Sequence, residues 1–192
     1  RRADFYRDQL LDDVLAFCTE TEDWAEEDAR FRFQCEQAWS VIHFLENRPP
    51  EVRERFARYC REGLLEVTAL FGNQTLELCG HEELVRLMYP AFRLKREYGI
   101  EITSAEHNDI PGFNWGLASV LAGAGVRYFS PGVPVWYFGG RHGADHVHPL
   151  WDAEEALPLG IPAACWWEGP DGAKVLLWSD LHGSEGSGHL DG

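Results

Sequence analysis

Ile100-Glu101-Ile102-Thr103-Ser104-Ala105-Glu106-His107-Asn108-Asp109-Ile110-Pro111-Gly112-Phe113-Asn114-Trp115-Gly116 is the stretch from which the fold is read. Ile100, Ile102 and Ser104 alternate with Glu101 and Thr103, the period-two pattern of a strand. A polar cluster, His107-Asn108-Asp109, follows, and Pro111-Gly112 ends the extended run. From Asn114 the pattern is helical, with Leu117, Val120, Leu121 and Ala124 on one face. A carboxylate and an imidazole therefore stand where a strand hands over to a helix. In barrels of alternating strands and helices this end is the mouth, where catalytic groups collect.

The pattern outside this stretch repeats the same alternation. Upstream, Tyr6 to Thr21 reads as a helix with a Leu10, Leu11, Val14, Leu15 and Cys18 stripe. Phe31 to Cys35 reads as a strand ending at Glu36, and Gln37 to Glu46 as a helix with Trp39, Ile42, His43 and Leu45 inward. Pro50 can open the next helix, Glu51 to Arg61, which Gly63 caps. Leu64 to Leu70 is a second strand, running into Phe71-Gly72-Asn73. His81 to Tyr98 reads as the longest helix, with Leu84, Leu87, Met88, Phe92 and Leu94 inward and Gly99 as its cap. Downstream, Val126 to Ser130 is the last strand of the alternating series.

Such an order predicts an α/β chain: a parallel sheet with covering helices, its crossovers right-handed, so that every strand's C-terminus faces the same way. Glu36, Asn73, Asp109 and Ser130 then converge on one mouth. Ala163 to Glu168 and Lys174 to Ser179 flank Gly169-Pro170-Asp171-Gly172 and predict a C-terminal β-hairpin.

Composition narrows the function classes. The 192 residues are 45% apolar and 13% aromatic, with eight tryptophans, which suits a folded domain with a real core. A formal charge of -15 disfavours nucleic acid and anionic membranes as partners. No apolar run is long enough for a bilayer span, and no signal-peptide core follows Arg1-Arg2-Ala3-Asp4. The five cysteines, Cys18, Cys35, Cys60, Cys79 and Cys165, are odd in number and widely spaced. They read as reduced, mostly buried thiols in a reducing, cytoplasmic compartment. No Met starts the chain and Ser184 to Gly192 is loop-like, so residues 1–192 read as a single domain, an internal fragment of a larger catalytic domain.

Asn108-Asp109-Ile110-Pro111-Gly112-Phe113-Asn114-Trp115-Gly116-Leu117, with Ala124-Gly125-Val126-Arg127-Tyr128-Phe129-Ser130, resembles the N-terminal catalytic domain of glycoside hydrolase family 38, the alpha-mannosidases. The likeness is nearer to a bacterial branch of that family. Phe33 to Trp39, Gly63 to Ala69, His81 to Arg86, and Trp167 to Gly172 with Val175 to Trp178 are similar in the same order. The resemblance implies a (β/α)7-type parallel barrel with helices outside, of which this chain holds a part. It further implies a retaining glycosidase with one zinc ion and a carbohydrate substrate. Asp109 matches the carboxylate that is both nucleophile and zinc ligand. The His-x-Asp pair of the family's first strand is absent from this chain, and a further histidine ligand is expected downstream of Gly192, so the remaining parts of the same polypeptide are the implied partner.

Each candidate has a plainer account beside it. Asp109 suits nucleophilic attack at an anomeric carbon; as a turn residue it would simply cap the backbone that follows. Glu36 and Asn73 suit binding of sugar hydroxyls, or helix capping. Trp39 and Trp115 suit stacking on a sugar face, or core packing. His107 suits a metal ligand or a supporting group behind one. His142, His146 and His148 suit a second metal site, or a loop lining a cleft. Two other functions fit the same pattern: a metal-dependent carbohydrate deacetylase on a similar barrel, and a non-catalytic glycan-binding barrel.

Overall fold

The computed structural model describes residues 5, 9–26, 29–107, 110, 112–131 and 164–178. Asn108, Asp109, Pro111, His142, His146 and His148 lie outside the described residues. The chain divides into two compact units, 1–72 with 86–103, and 73–85 with 104–192.

The first unit begins with α1, Leu10–Thr21, which buries Leu11, Val14, Leu15 and Cys18 along the stripe expected from its spacing. Strand β1, Phe33–Cys35, pairs in parallel with β2, Leu65–Val67. Between them run α2, Ala38–Glu46, and α3, Pro50–Arg61. Pro50 occupies the first turn of α3, where its missing N–H costs nothing. Gly63 takes a φ of 74° just past that helix, a left-handed turn that glycine enters without strain. Phe44 of α2 meets Phe56 of α3 with ring centroids 5.8 Å apart, and both are fully buried. Burying such a ring contributes roughly 1.5–3 kcal/mol.

Several expectations change here. The strands are shorter than the apolar runs: Thr68, Ala69 and Leu70 are buried but lie beyond β2. The buried face of α2 is Ala38, Val41, Phe44 and Leu45, so Trp39, Ile42 and His43 are only half-buried. One residue of phase, set by a helix that begins at Ala38, separates the two faces. The expected long helix is two: α4, His81–Arg86, and α5, Tyr89–Tyr98. Pro90 stands in the first turn of α5 and would clash with the carbonyl of Arg86 in a continuous helix. Leu84, Leu87, Met88 and Leu94 are buried as expected, whereas Phe92 is exposed. Gly99 caps α5 with a φ of 67°.

The second unit holds a four-stranded sheet in the order β3-β4-β6-β5, where β3 is Ser104–Glu106, β4 Tyr128–Ser130, β5 Ala164–Glu168 and β6 Lys174–Trp178. β3, β4 and β6 are mutually parallel, and β5 is the antiparallel hairpin partner of β6. Ile100 and Ile102 are buried as their alternation implies, yet strand pairing starts only at Ser104. Helix α6, Gly116–Gly123, buries Leu117, Ala118 and Leu121 and packs on β6. The architecture is thus α/β with parallel pairing and a C-terminal hairpin. The described strands close no barrel; they make one two-stranded and one four-stranded sheet. No helix among the described residues is long and apolar enough to cross a membrane. All five cysteines are free thiols, but only Cys18 and Cys35 are buried; Cys60, Cys79 and Cys165 are partly exposed.

Candidate functional site

In the first unit the loop after β1 is pinned to the segment after β2. Thr68 donates its main-chain N–H to Cys35 O (3.1 Å) and its hydroxyl to Glu36 O. The first N–H groups of α2, on Ala38 and Trp39, donate to Leu70 O (3.0 Å) and Phe71 O (3.1 Å). These donors have no partner within the helix, so the contact satisfies them and fixes residues 36–39 in place. Trp39 donates its indole N–H to Gln37 Oε1 at 2.5 Å.

The result is a cavity of about 320 Å³ between the start of α1, β1 and the start of α2. Leu10, Leu11, Phe33 and Cys35 form an apolar wall; Gln34, Glu36, Gln37, Trp39 and Ser40 supply polar groups and an indole. Clefts for small ligands run from roughly 300 to 1,000 Å³ and combine apolar walls with a few convergent polar groups. The structure thus brings Glu36 and Trp39 together in one pocket. Gln37 and Ser40 belong to the same lining and were not singled out from the sequence. Their signal was position: both lie within four residues of Glu36, across the strand-to-helix junction.

Asn73 is half-buried and lies in the connection after β2, not at that strand's end. His107, in the second unit, is 1% exposed. Its main-chain N–H donates to Ser130 O (3.0 Å), carrying the β3–β4 pairing one residue further. Its Nε2 lies 2.6 Å from Gln74 O. A carbonyl only accepts, so Nε2 carries the proton, and a neutral ring would meet a metal through Nδ1. No group of three or more His, Cys, Asp or Glu side chains suited to a metal is assembled among the described residues.

The handover that follows is tightly organised. Phe113 packs edge-on against Phe129 and Trp167, with centroids 5.4 Å from each. Asn114 caps α6: its Oδ1 accepts the N–H of Leu117 (3.1 Å) and its Nδ2 donates to Leu76 O (3.3 Å). Gly112 has a φ of 88°, and a Cβ there would fall 2.3 Å from Glu77 Cδ. Trp115 is 62% exposed and donates its indole N–H to Glu168 O. Its nitrogen therefore ties α6 to the hairpin, while the ring stays open. At the start of α4, Glu83 accepts the N–H of Gly80 at 2.7 Å, which satisfies a donor at the helix N-terminus.

No protein-family profile matches the chain, and neither does any curated protein. Solved structures do. The chain is similar over 90% of its length to a protein in glycosyl hydrolase family 38 from Enterococcus faecalis, with 18% identity and a TM-score of 0.58. It is similar over 86% of its length to an alpha-mannosidase from Enterococcus faecalis V583, with 20% identity and a TM-score of 0.55. A 4-alpha-glucanotransferase from Thermococcus litoralis matches over 93% of this chain at 11% identity and a TM-score of 0.59. The chain spans only 16%, 17% and 25% of those three proteins. The likeness is one of fold.

Proposed function

We propose that this chain is part of an alpha-mannosidase-like glycoside hydrolase that cleaves alpha-linked sugars with retention. The observation that carries the reading is the fold likeness over 90% of the chain to a family 38 protein. The pocket holding Glu36, Gln37, Trp39 and Ser40 supports it, because a sugar needs hydroxyl acceptors and an aromatic wall together. Retaining hydrolysis needs one carboxylate to attack the anomeric carbon and a second carboxyl to act first as acid, then as base. Asp109 is assigned the attack. It follows β3 and His107 and precedes the Asn114-capped start of α6.

Zinc belongs to the proposal for the whole protein. Among the described residues the fit is incomplete: His107 offers one nitrogen, and a catalytic zinc takes three or more protein ligands. The chain is in the same way proposed as a single piece of a larger catalytic domain.

The test is Asp109→Asn in the full-length protein, with hydrolysis of an aryl alpha-mannoside and thermal unfolding measured side by side. The change keeps shape but removes the attacking charge. We expect turnover to fall by at least about a thousandfold with unfolding unchanged; activity within tenfold of the parent removes Asp109 from the mechanism. The glucanotransferase likeness favours one variation, in which a sugar hydroxyl replaces water in the second half-reaction. Adding maltose as acceptor distinguishes the two: transfer products mean a transferase, free sugar alone a hydrolase.

A further inference from the structure

The sheet of the second unit has two unlike faces. Ala105, Phe129, Val175 and Leu177 are buried and share one face by register. The register fixes the opposite side residue by residue. Phe129 faces Leu177 across β4 and β6, so Tyr128 and Ser130 share a side with Leu176 and Trp178. Ala105 faces Phe129, so Ser104 and Glu106 lie on that same side. Trp166 of β5 is opposite Leu176 and joins it.

β3, β4 and β6 run parallel, so their C-terminal ends share one edge of the sheet. Those ends are Glu106, Ser130 and Trp178. Glu106 is directly opposite Ser130, and carrying the β4–β6 register on by one residue sets Ser130 level with Trp178. The three make a row across adjacent strands. With strands about 4.8 Å apart, its outer members are about 10 Å from each other. Trp178 is 59% exposed, Trp166 68% and Tyr128 46%; Glu106 and Ser130 are half-buried. Ligands of α/β sheets bind outside the carboxyl ends of the strands, which is where this row stands.

Its chemistry selects the ligand. A purely apolar partner would cover Glu106 and Ser130 and give them no hydrogen bond in return. A pyranose offers an apolar C–H face for an indole and a rim of hydroxyls for a carboxylate and an alcohol. We propose that Glu106, Ser130 and Trp178 form a saccharide-binding row, Trp178 stacking on the ring and Glu106 accepting from its hydroxyls. The proposal rests on the glycan reading above and adds a binding locus to it.

The experiment uses the full-length protein carrying Asp109→Asn, which removes turnover and leaves the three residues of the row unchanged. Methyl alpha-mannopyranoside and maltose are the probes, titrated by calorimetry. In that background Trp178→Ala should weaken binding of at least one probe tenfold or more, Trp178→Phe should restore most of it, and Glu106→Gln should weaken it at least fivefold. Thermal midpoints monitor folding. Should Trp178→Ala fail to fold, Glu106→Gln, which keeps the shape of the side chain, decides alone. Folded Trp178→Ala and Glu106→Gln proteins that bind within twofold of their parent overturn the row, while loss of turnover on Asp109→Asn would leave the hydrolase reading standing. A catalytically active protein that binds neither probe also overturns the row. Absence of both turnover and binding overturns the glycan reading itself.

Discussion

Glu22 shows how single side chains tie the first unit together. Its Oε2 accepts from Arg58 Nη2 at 2.7 Å and from the Tyr59 hydroxyl at 2.8 Å. That hydroxyl lies 2.9 Å from Thr19 Oγ1, and the Arg58 guanidinium sits 4.5 Å from the Tyr59 ring centroid. Tyr59 is itself fully buried, so its hydroxyl needs these partners. The Arg58 hydrogen bond, then that of Tyr59, holds the Glu22 carboxyl below its ordinary value. A carboxylate lowered by folding stabilises the native state above the unfolded-state value, and that contribution disappears as the pH falls through the folded-state value. Glu22→Gln should therefore lower stability at about pH 7 and cost progressively less towards about pH 3, where the parent has lost the same contribution. Urea unfolding of both proteins across that range checks it; a gap independent of pH would exclude the mechanism.

At the scale of elements, the hairpin and α6 are fitted without clearance. Ser119 donates its hydroxyl to Asp171 Oδ1, which also accepts the N–H of Ala173. Trp115 reaches Glu168 O from the other end of the same helix surface. Gly169 lies between them: a Cβ there would fall 2.3 Å from Ser119 Oγ and 2.8 Å from Ser119 N. The hydroxyl can rotate away but the main-chain nitrogen cannot. Gly169→Ala should thus cost about 1–3 kcal/mol, as overpacking does. Adding Ser119→Gly should recover only part of it. Denaturant midpoints of the single and double variants measure both.

At the scale of the whole molecule, the number of ligands governs metal binding. One imidazole nitrogen cannot hold zinc against water, and the described residues gather no set of three ligands. On the function proposed above, the 192-residue chain alone should bind zinc weakly and hydrolyse nothing, whereas a longer protein that contains it should bind about one zinc per chain, coupled to assembly of the site. Calorimetric zinc titration of both is the measurement. Tight stoichiometric binding by the short chain would place the ligands within it and direct attention to His107, His142, His146 and His148.

Most elements, in kind and in order, are legible in the sequence; the helix expected over His81 to Tyr98 is the exception, split ahead of Pro90. Leu11, Val14, Leu15 and Cys18 announce α1 because a helix face repeats every three to four residues, and Gly63 and Gly99 mark helix ends because only glycine takes a left-handed turn without strain. The hairpin about Asp171-Gly172 was legible for the same local reason. What repeats locally can be read locally. Pairing cannot: that β6 adds to β4 in parallel while β5 runs back along its outer edge depends on contacts between distant segments. The face on which a strand residue lies depends on where pairing begins. The alternation read from Ile100 to Ser104 did not reach Glu106, and only the ladder to Ser130 and on to β6 placed it in a row with Trp178. Similarly, Glu36 and Trp39 were visible as a carboxylate and an indole at a strand end. That they wall one pocket with Leu10 and Leu11, from the start of α1, was decided by the tertiary structure, because a cavity belongs to the surfaces around it and to none of their sequences alone.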